Sequence, residues 1–150
     1  MHFTGSGTRR SREPRVRQGA LGRHRFGSLV ELLEDDPSFV SRAMFGCVGC
    51  YLGGRLVVVL ADRGEPWQGL LVPVERAVHA ELRRELAALR IHPVLGKWLY
   101  LPEADRQFAA ASRELVRRIA EGDPRFGVDP APPRLPRRTG AAFRRPRRSA

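Results

Sequence analysis

Cysteine, lysine and long apolar runs are scarce in this sequence. Two cysteines, Cys47 and Cys50, cannot build the disulfide framework of a small secreted domain, and their scarcity fits a reducing compartment. No apolar run approaches the about 20 residues that a membrane-spanning helix requires. The arginine-rich start also lacks the hydrophobic segment of a secretory signal. The expected location is the cytoplasm, with no membrane association; an arginine-rich transit peptide is the open alternative. Also missing are a G-x-S-x-G elbow, a glycine-rich phosphate loop and a second C-x-x-C or an H-x-x-x-H, which removes the usual signatures of hydrolases, nucleotide binders and zinc domains. What remains is a chain of 150 residues, long enough for one domain with a real core.

Lys97 is the only lysine, so the net charge of +11 is an arginine charge, and it is unevenly placed. Residues 1–26 hold seven arginines against one glutamate, a net +6, and residues 123–150 hold eight arginines against two aspartates, again +6. Residues 27–122 hold 12 basic and 13 acidic groups, a net −1. The flanks are rich in Pro, Gly and Ser and poor in apolar side chains, and such segments cannot bury enough surface to offset the entropy of ordering them. The chain therefore divides into a disordered basic tail over 1–26, a folded domain over 27–122 and a disordered Pro/Arg-rich tail over 123–150. Arg9, Arg10, Arg12, Arg15 and Arg17 in the first tail are candidate contacts to DNA or RNA, as are Arg137, Arg138, Arg144, Arg145, Arg147 and Arg148 in the second. Phosphates attract arginine by counterion release without reading sequence. Aromatic residues for stacking on single strands, such as Phe26, Phe126 and Phe143, are few there. A GC-rich coding sequence or a misassigned start would give the same arginine bias without function, and composition leaves both readings open.

Within 27–122, Ser28-Leu29-Val30-Glu31 has the pattern of a capping box, predicting a short helix that Asp35-Asp36-Pro37 ends. From Phe39 the chain runs extended into Met44-Phe45-Gly46. Gly53-Gly54 between Cys47–Leu52 and Arg55–Ala61 predicts a hairpin, since paired glycines supply the positive φ of a tight turn. Val57-Val58-Val59-Leu60 is apolar on both pleat faces, which makes this strand central. Gly69–Pro73 is a third strand, and Val74, Val78, Leu82, Leu86 and Leu89 recur at the spacing of an amphipathic helix of roughly four turns. Lys97–Leu101 is a fourth strand ended by Pro102. Phe108, Leu115 and Ile119 share one face of a last helix, with Gly122 at its C-cap. The order α-β-β-β-α-β-α describes an α+β domain, an antiparallel sheet of about four strands with packed helices.

Two clusters resemble a known family. Met44-Phe45-Gly46, followed by Gly49, Tyr51 and Gly54-Arg55, is similar to the M-F-G-G-x-G-x-Y-x-x-G-K signature of the TfoX/Sxy N-terminal domain. The segment from Pro93 through Gly96-Lys97-Trp98 to Pro102 resembles the same family's later strand, often written G-x-P-M-x-G-Y-V-x-V-P. The resemblance covers about residues 28–122. It implies a small α+β domain found in proteins named for regulation of natural competence, with no known catalytic residues and no cofactor. Cys47 stands where the family commonly has glycine, and the competence regulators carry a helical second domain where this chain has its basic tail.

The Cys47-Val48-Gly49-Cys50 spacing is read as packing. In a strand, residues three apart leave opposite faces, with Cα atoms ~10 Å apart at ~3.3 Å rise per residue, beyond the ~7 Å limit for a bridge. His79 and His92 are too few to complete a four-ligand zinc site, so no metal is expected. Asp35-Asp36 reads as a solvated helix end, Lys97 as surface charge on a strand and Trp98 as core. The expected function is non-enzymatic: protein–protein contact with an unknown partner, in transcription or competence regulation as the resemblance implies. The arginine tails would add non-specific affinity for DNA or RNA. The alternative is a small enzyme of unknown reaction whose pocket is assembled from scattered residues.

Overall fold

The computed structural model describes residues 19–130. Two tight turns frame it. Leu52 pairs with Arg55 across Gly53-Gly54, whose φ values of 57° and 81° are both positive, as a type I′ hairpin turn requires. One hairpin earlier, Met44 pairs with Cys47 across Phe45-Gly46, at φ 49° and 77°. These turns join β1 (Val40–Met44), β2 (Cys47–Leu52) and β3 (Arg55–Asp62) into an antiparallel meander. With β4 (Gln68–Val72), β5 (Arg90–Ile91) and β6 (Leu99–Pro102) they form a six-stranded antiparallel sheet in the order β1-β2-β3-β4-β6-β5. The helices are α1 (Gly19–Arg23), α2 (Glu31–Glu34), α3 (His79–Glu85) and α4 (Phe108–Ala120); 3-10 turns at Gly27–Val30 and Arg76–Val78 lead into α2 and α3.

The fold is α+β with an antiparallel sheet, but its details depart from the pattern in the sequence. The sheet has six strands, not four. β1 is a strand because Phe45-Gly46 makes a turn of the same kind as Gly53-Gly54, although a phenylalanine at positive φ is unusual. β5 has two residues, too few to show a period. The helix expected through Leu89 ends at Glu85, because Leu86 takes extended angles (φ −129°, ψ 87°). Leu86 and Leu89 reach the core from the turn that follows. Ser28 lies within a 3-10 turn, and neither that turn nor α2 has a side-chain cap, so the capping box does not form. Buried Phe26, Val30 and Leu33 hold the segment by packing instead.

The folded unit is wider than 27–122. Phe26, 5% exposed, packs its ring 5.6 Å from Phe108, and Leu21 is buried beside it. At the other end Phe126 is 2% exposed, the Gly127 amide donates to Pro73 O (3.0 Å), and Val128 exchanges two backbone bonds with Leu56 (2.9 and 3.0 Å). Phe26 and Phe126 are therefore core residues rather than tail aromatics. Part of the flanking charge is likewise built in: Arg25 makes a two-pronged bond to Glu103 (2.9 and 2.8 Å), and Arg125 is bound by Asp123, Glu81 and Glu85. Residues 19–130 contain 15 basic and 15 acidic groups, so the whole net charge of +11 lies in residues 1–18 and 131–150. The candidate nucleic-acid arginines, and the disorder expected around them, fall outside the described residues.

Alternation along the strands separates two layers. Val48, Cys50, Val58, Leu60, Leu70, Val72, Leu99 and Leu101 face a large core that contains Leu82 of α3 and Leu115, Val116 and Ile119 of α4. Cys47, Leu56, Val59, Ala61, Leu71 and Tyr100 face the other way, into a smaller cluster. A register shift opposite Cys50 and Tyr51 leaves Val57 and Val58 both on the helix side, so β3 is apolar on both faces. Among the described residues every buried helix side chain of the apolar core joins the first layer. No helix there is long and apolar enough to cross a membrane.

Two predictions test this frame. Phe126→Ala should cost about 3–5 kcal/mol by opening the core at its last contact, and a 27–122 fragment should unfold at markedly lower denaturant than a 19–130 fragment. Equal unfolding midpoints would show that the terminal segments add nothing. The second concerns pH. Burial lowers the His24 pKa below its ordinary 6.5, against a smaller opposing pull from Asp62, and its buried Nε2 has no hydrogen-bond partner. A base with a depressed folded pKa contributes stability that is present above 6.5 and lost as pH falls through the folded value. Thermal unfolding across that range should give a shallower decline for His24→Gln than for the native chain.

Candidate functional site

Among the described residues no helix packs on the second face of the sheet, and loops cover it. Trp67 comes from the β3–β4 loop, and Leu95 and Trp98 from the segment between β5 and β6, all packed against the small cluster. Between them and the Met44–Phe45 end of the first hairpin an open cleft of about 480 Å³ remains. Its walls are Met44, Cys47, Val59, Trp67, Leu71, Leu95 and Trp98, with Phe45, Arg63 and Lys97 completing the lining.

Small residues make room for this arrangement. A Cβ at Gly49 would lie 2.6 Å from the Met44 sulfur, so the glycine lets the thioether rest on the sheet. A Cβ on Gly46 would lie 1.9 Å from Arg63 Nη1. Arg63 crosses the turn at that bare position and donates to Phe45 O (3.1 Å). Phe45 itself is 88% exposed, the most exposed large hydrophobic residue described, and its left-handed backbone costs about 1–2 kcal/mol relative to a residue that tolerates that region. Strain and exposure thus meet at one aromatic residue on the lip of the cleft.

Two histidines hold the loops in place. His92 is fully buried; its Nε2 donates to Pro66 O (2.7 Å), and its Nδ1 accepts from the amides of Val94 and Leu95 (3.0 and 2.9 Å). Its ring also lies 4.4 Å from that of Trp67 and 5.1 Å from that of Tyr100. One imidazole thus ties the two cleft loops to each other. His79, on α3, bonds Lys97 O through Nε2 (3.1 Å) and fixes the second loop from the helix side. Beneath them the Tyr100 hydroxyl donates to Glu65 Oε1 (2.8 Å) and accepts from the Gln68 amide (2.9 Å). Burial first, and Glu65 second among the raising influences, push its pKa up to about 12.

The electrostatics of the cleft are one-sided. No aspartate or glutamate lines it, and neither Arg63 nor Lys97 forms an ion pair among the described residues. The Lys97 ammonium lies 5.5 Å from the Trp98 ring centroid. Cys47 is free, and burial raises its pKa, with Arg63 pulling weakly the other way. Cys50 is free on the opposite face, fully buried, its pKa pushed up to about 12 by desolvation. The two thiols therefore leave opposite faces of β2, as strand geometry predicts, and both stay neutral. No group of three or more His, Cys, Asp or Glu among the described residues is placed to hold a metal ion.

The residues singled out by motif converge here in part. Met44, Phe45, Lys97 and Trp98 line one cleft although the two motifs lie far apart in sequence, and Gly46 and Gly49 shape it. Tyr51 packs on the same cluster with the Arg42 guanidinium 5.6 Å from its ring centroid. Gly54 serves the opposite turn, and Pro102 pairs with Gly69 at the end of β6. Pro93 and Gly96 belong to the loop that His92 holds. Trp98 is a half-buried residue one position ahead of β6 rather than core, and Lys97 precedes the strand instead of standing on it. Arg63 and Trp67 lie outside both motifs and Leu95 fills an unspecified position of the second; the one hint was Trp67, a large apolar residue in an otherwise polar loop. No protein-family model, curated protein or solved structure matches this chain.

Removing the His92 side chain leaves a buried carbonyl and two amides unpaired, so His92→Ala should cost about 3 kcal/mol and shift tryptophan emission to the red. Denaturant unfolding followed by fluorescence checks both. Cys50→Ala should cost on the order of 1 kcal/mol through lost packing. In native thiol titration Cys47 should react well before Cys50, and simultaneous reaction would contradict their placement on different faces.

Proposed function

We propose that this chain is a cytoplasmic, non-catalytic binding protein of the TfoX N-terminal type. It acts by contact with a protein partner, in transcription or competence regulation. The observation that carries the reading is the convergence of the two motif segments on one cleft, with Phe45 presented at its lip in a strained turn. The lining supports binding more than catalysis: it contains no imidazole or carboxylate, and its one thiol is held in the protonated form. Contact centred on an exposed aromatic anchor beside an apolar cleft is how interface hot spots are built. The arginines of residues 1–18 and 131–150, which carry all the net charge, supply affinity for DNA or RNA without sequence preference.

Two experiments test the two halves of this proposal. Phe45→Asn keeps a residue suited to the left-handed turn, since Asn-Gly is the preferred type I′ pair. It should raise stability by about 0.5–1 kcal/mol while abolishing capture of the partner that the native chain retains from a native lysate. Unchanged capture would remove Phe45 from the contact. For the charge, binding to duplex DNA should fall steeply with salt, with a log–log slope of roughly −0.9 per phosphate neutralised. Replacing Arg137, Arg138, Arg144, Arg145, Arg147 and Arg148 by Gln should flatten that slope and leave thermal unfolding unchanged. If binding and slope are unaltered, residues 131–150 do not supply the affinity.

A further inference from the structure

We infer that the cleft is a binding site for a small apolar carboxylate: a free acid with an aromatic or branched hydrocarbon body and a single anionic head. This goes beyond the protein contact proposed above and needs no partner. The volume of about 480 Å³ falls within the range of small-molecule sites, which are mostly apolar with a few placed polar groups. The walls supply the apolar part: Met44, Val59, Leu71, Leu95 and the two indoles.

The rim decides the head group. Arg63 and Lys97 are the charged residues of the lining, both are cationic, and no carboxylate within the lining neutralises them. Arg63 is already oriented, since it lies across Gly46 and spends one N–H on Phe45 O, which leaves most of its five-donor fork for a ligand. The Cys47 thiol, kept neutral, adds no competing anion. Other occupants fit worse. Residues 131–150 contain seven arginines and no acidic residue, and they would meet like charge. A second copy would bring the same two cations to its own cleft. Two cations on an otherwise apolar surface also match one carboxylate better than a polyphosphate, which calls for a nest of backbone amides.

The chain supplies its own reporter, because Trp67 and Trp98 are its only two tryptophans and both line the cleft. Full-length protein is titrated with phenylpropionate and, separately, with its neutral amide, following tryptophan emission and calorimetric heat. The expected result is a saturable change with the carboxylate and about tenfold weaker binding of the amide, as loss of a charge-assisted pair predicts. The Arg63→Gln, Lys97→Gln double variant changes exposed side chains. It should bind the carboxylate only as well as the amide, with amide affinity unaltered. No saturable change with the carboxylate up to about 10 mM overturns the inference. So do equal affinities for acid and amide, or a double variant that binds like the native chain. Partner capture is read separately with Phe45→Asn, so each reading can fail without the other.

Discussion

A β-sheet presents two faces to be covered, and among the described residues helices cover one. That constraint organises most of what surrounds the sheet. β3 is apolar on both sides, so leaving its second face to water would expose Val59, Ala61 and Leu56 together. Among the described residues the requirement is met with loop side chains, two indoles and a leucine. Loops cover less completely than helices, and the uncovered remainder is the cleft.

Loop cover of this kind needs fixing from within, because irregular backbone brings polar groups under apolar surface. The histidines serve that purpose. An imidazole can accept at one nitrogen and donate at the other, and His92 uses both, reaching three backbone groups on two loops. Tyr100 does the same at the next position inward. The charged network at the far end has a different character. Glu85, held by Arg125 and Arg118 with its pKa near 2, sits at the surface and joins α3 to the end of α4. Such exposed pairs fix geometry more than they add stability.

Much of the sheet was legible because its signals are local. Gly53-Gly54 announces a type I′ turn, and the alternation of Cys47 through Leu52 places the two thiols on opposite faces without reference to anything else. Phe45-Gly46 makes the same turn but hides it, since only the second residue belongs to the expected type. The ends of the folded unit were misplaced for a similar reason. Phe26 and Phe126 are isolated aromatics in polar, arginine-rich sequence, and only tertiary contact makes them core. The motif residues pointed toward the cleft, yet the cleft needs Arg63 and Trp67, which sit in a loop that is pinned through Pro66 by His92, a residue distant from it in sequence. Spacing along the chain carries no record of that.

The contact between Gly46 and Arg63 has a consequence for how this sequence can change. At φ 77° position 46 accepts glycine and, with some strain, asparagine, but any Cβ there overlaps the guanidinium that crosses it. A side chain at 46 therefore displaces the exposed tip of Arg63 and its bond to Phe45 O, while the left-handed backbone supplies the strain; a shorter residue at 63 gives up the same hydrogen bond and leaves the turn standing. The two positions are coupled with a direction: a change at 46 disturbs Arg63, whereas a change at 63 leaves Gly46 as it was. Divergent descendants of this chain would be expected to lose the arginine more readily than the glycine, because the φ of 77° constrains position 46 whatever stands at 63.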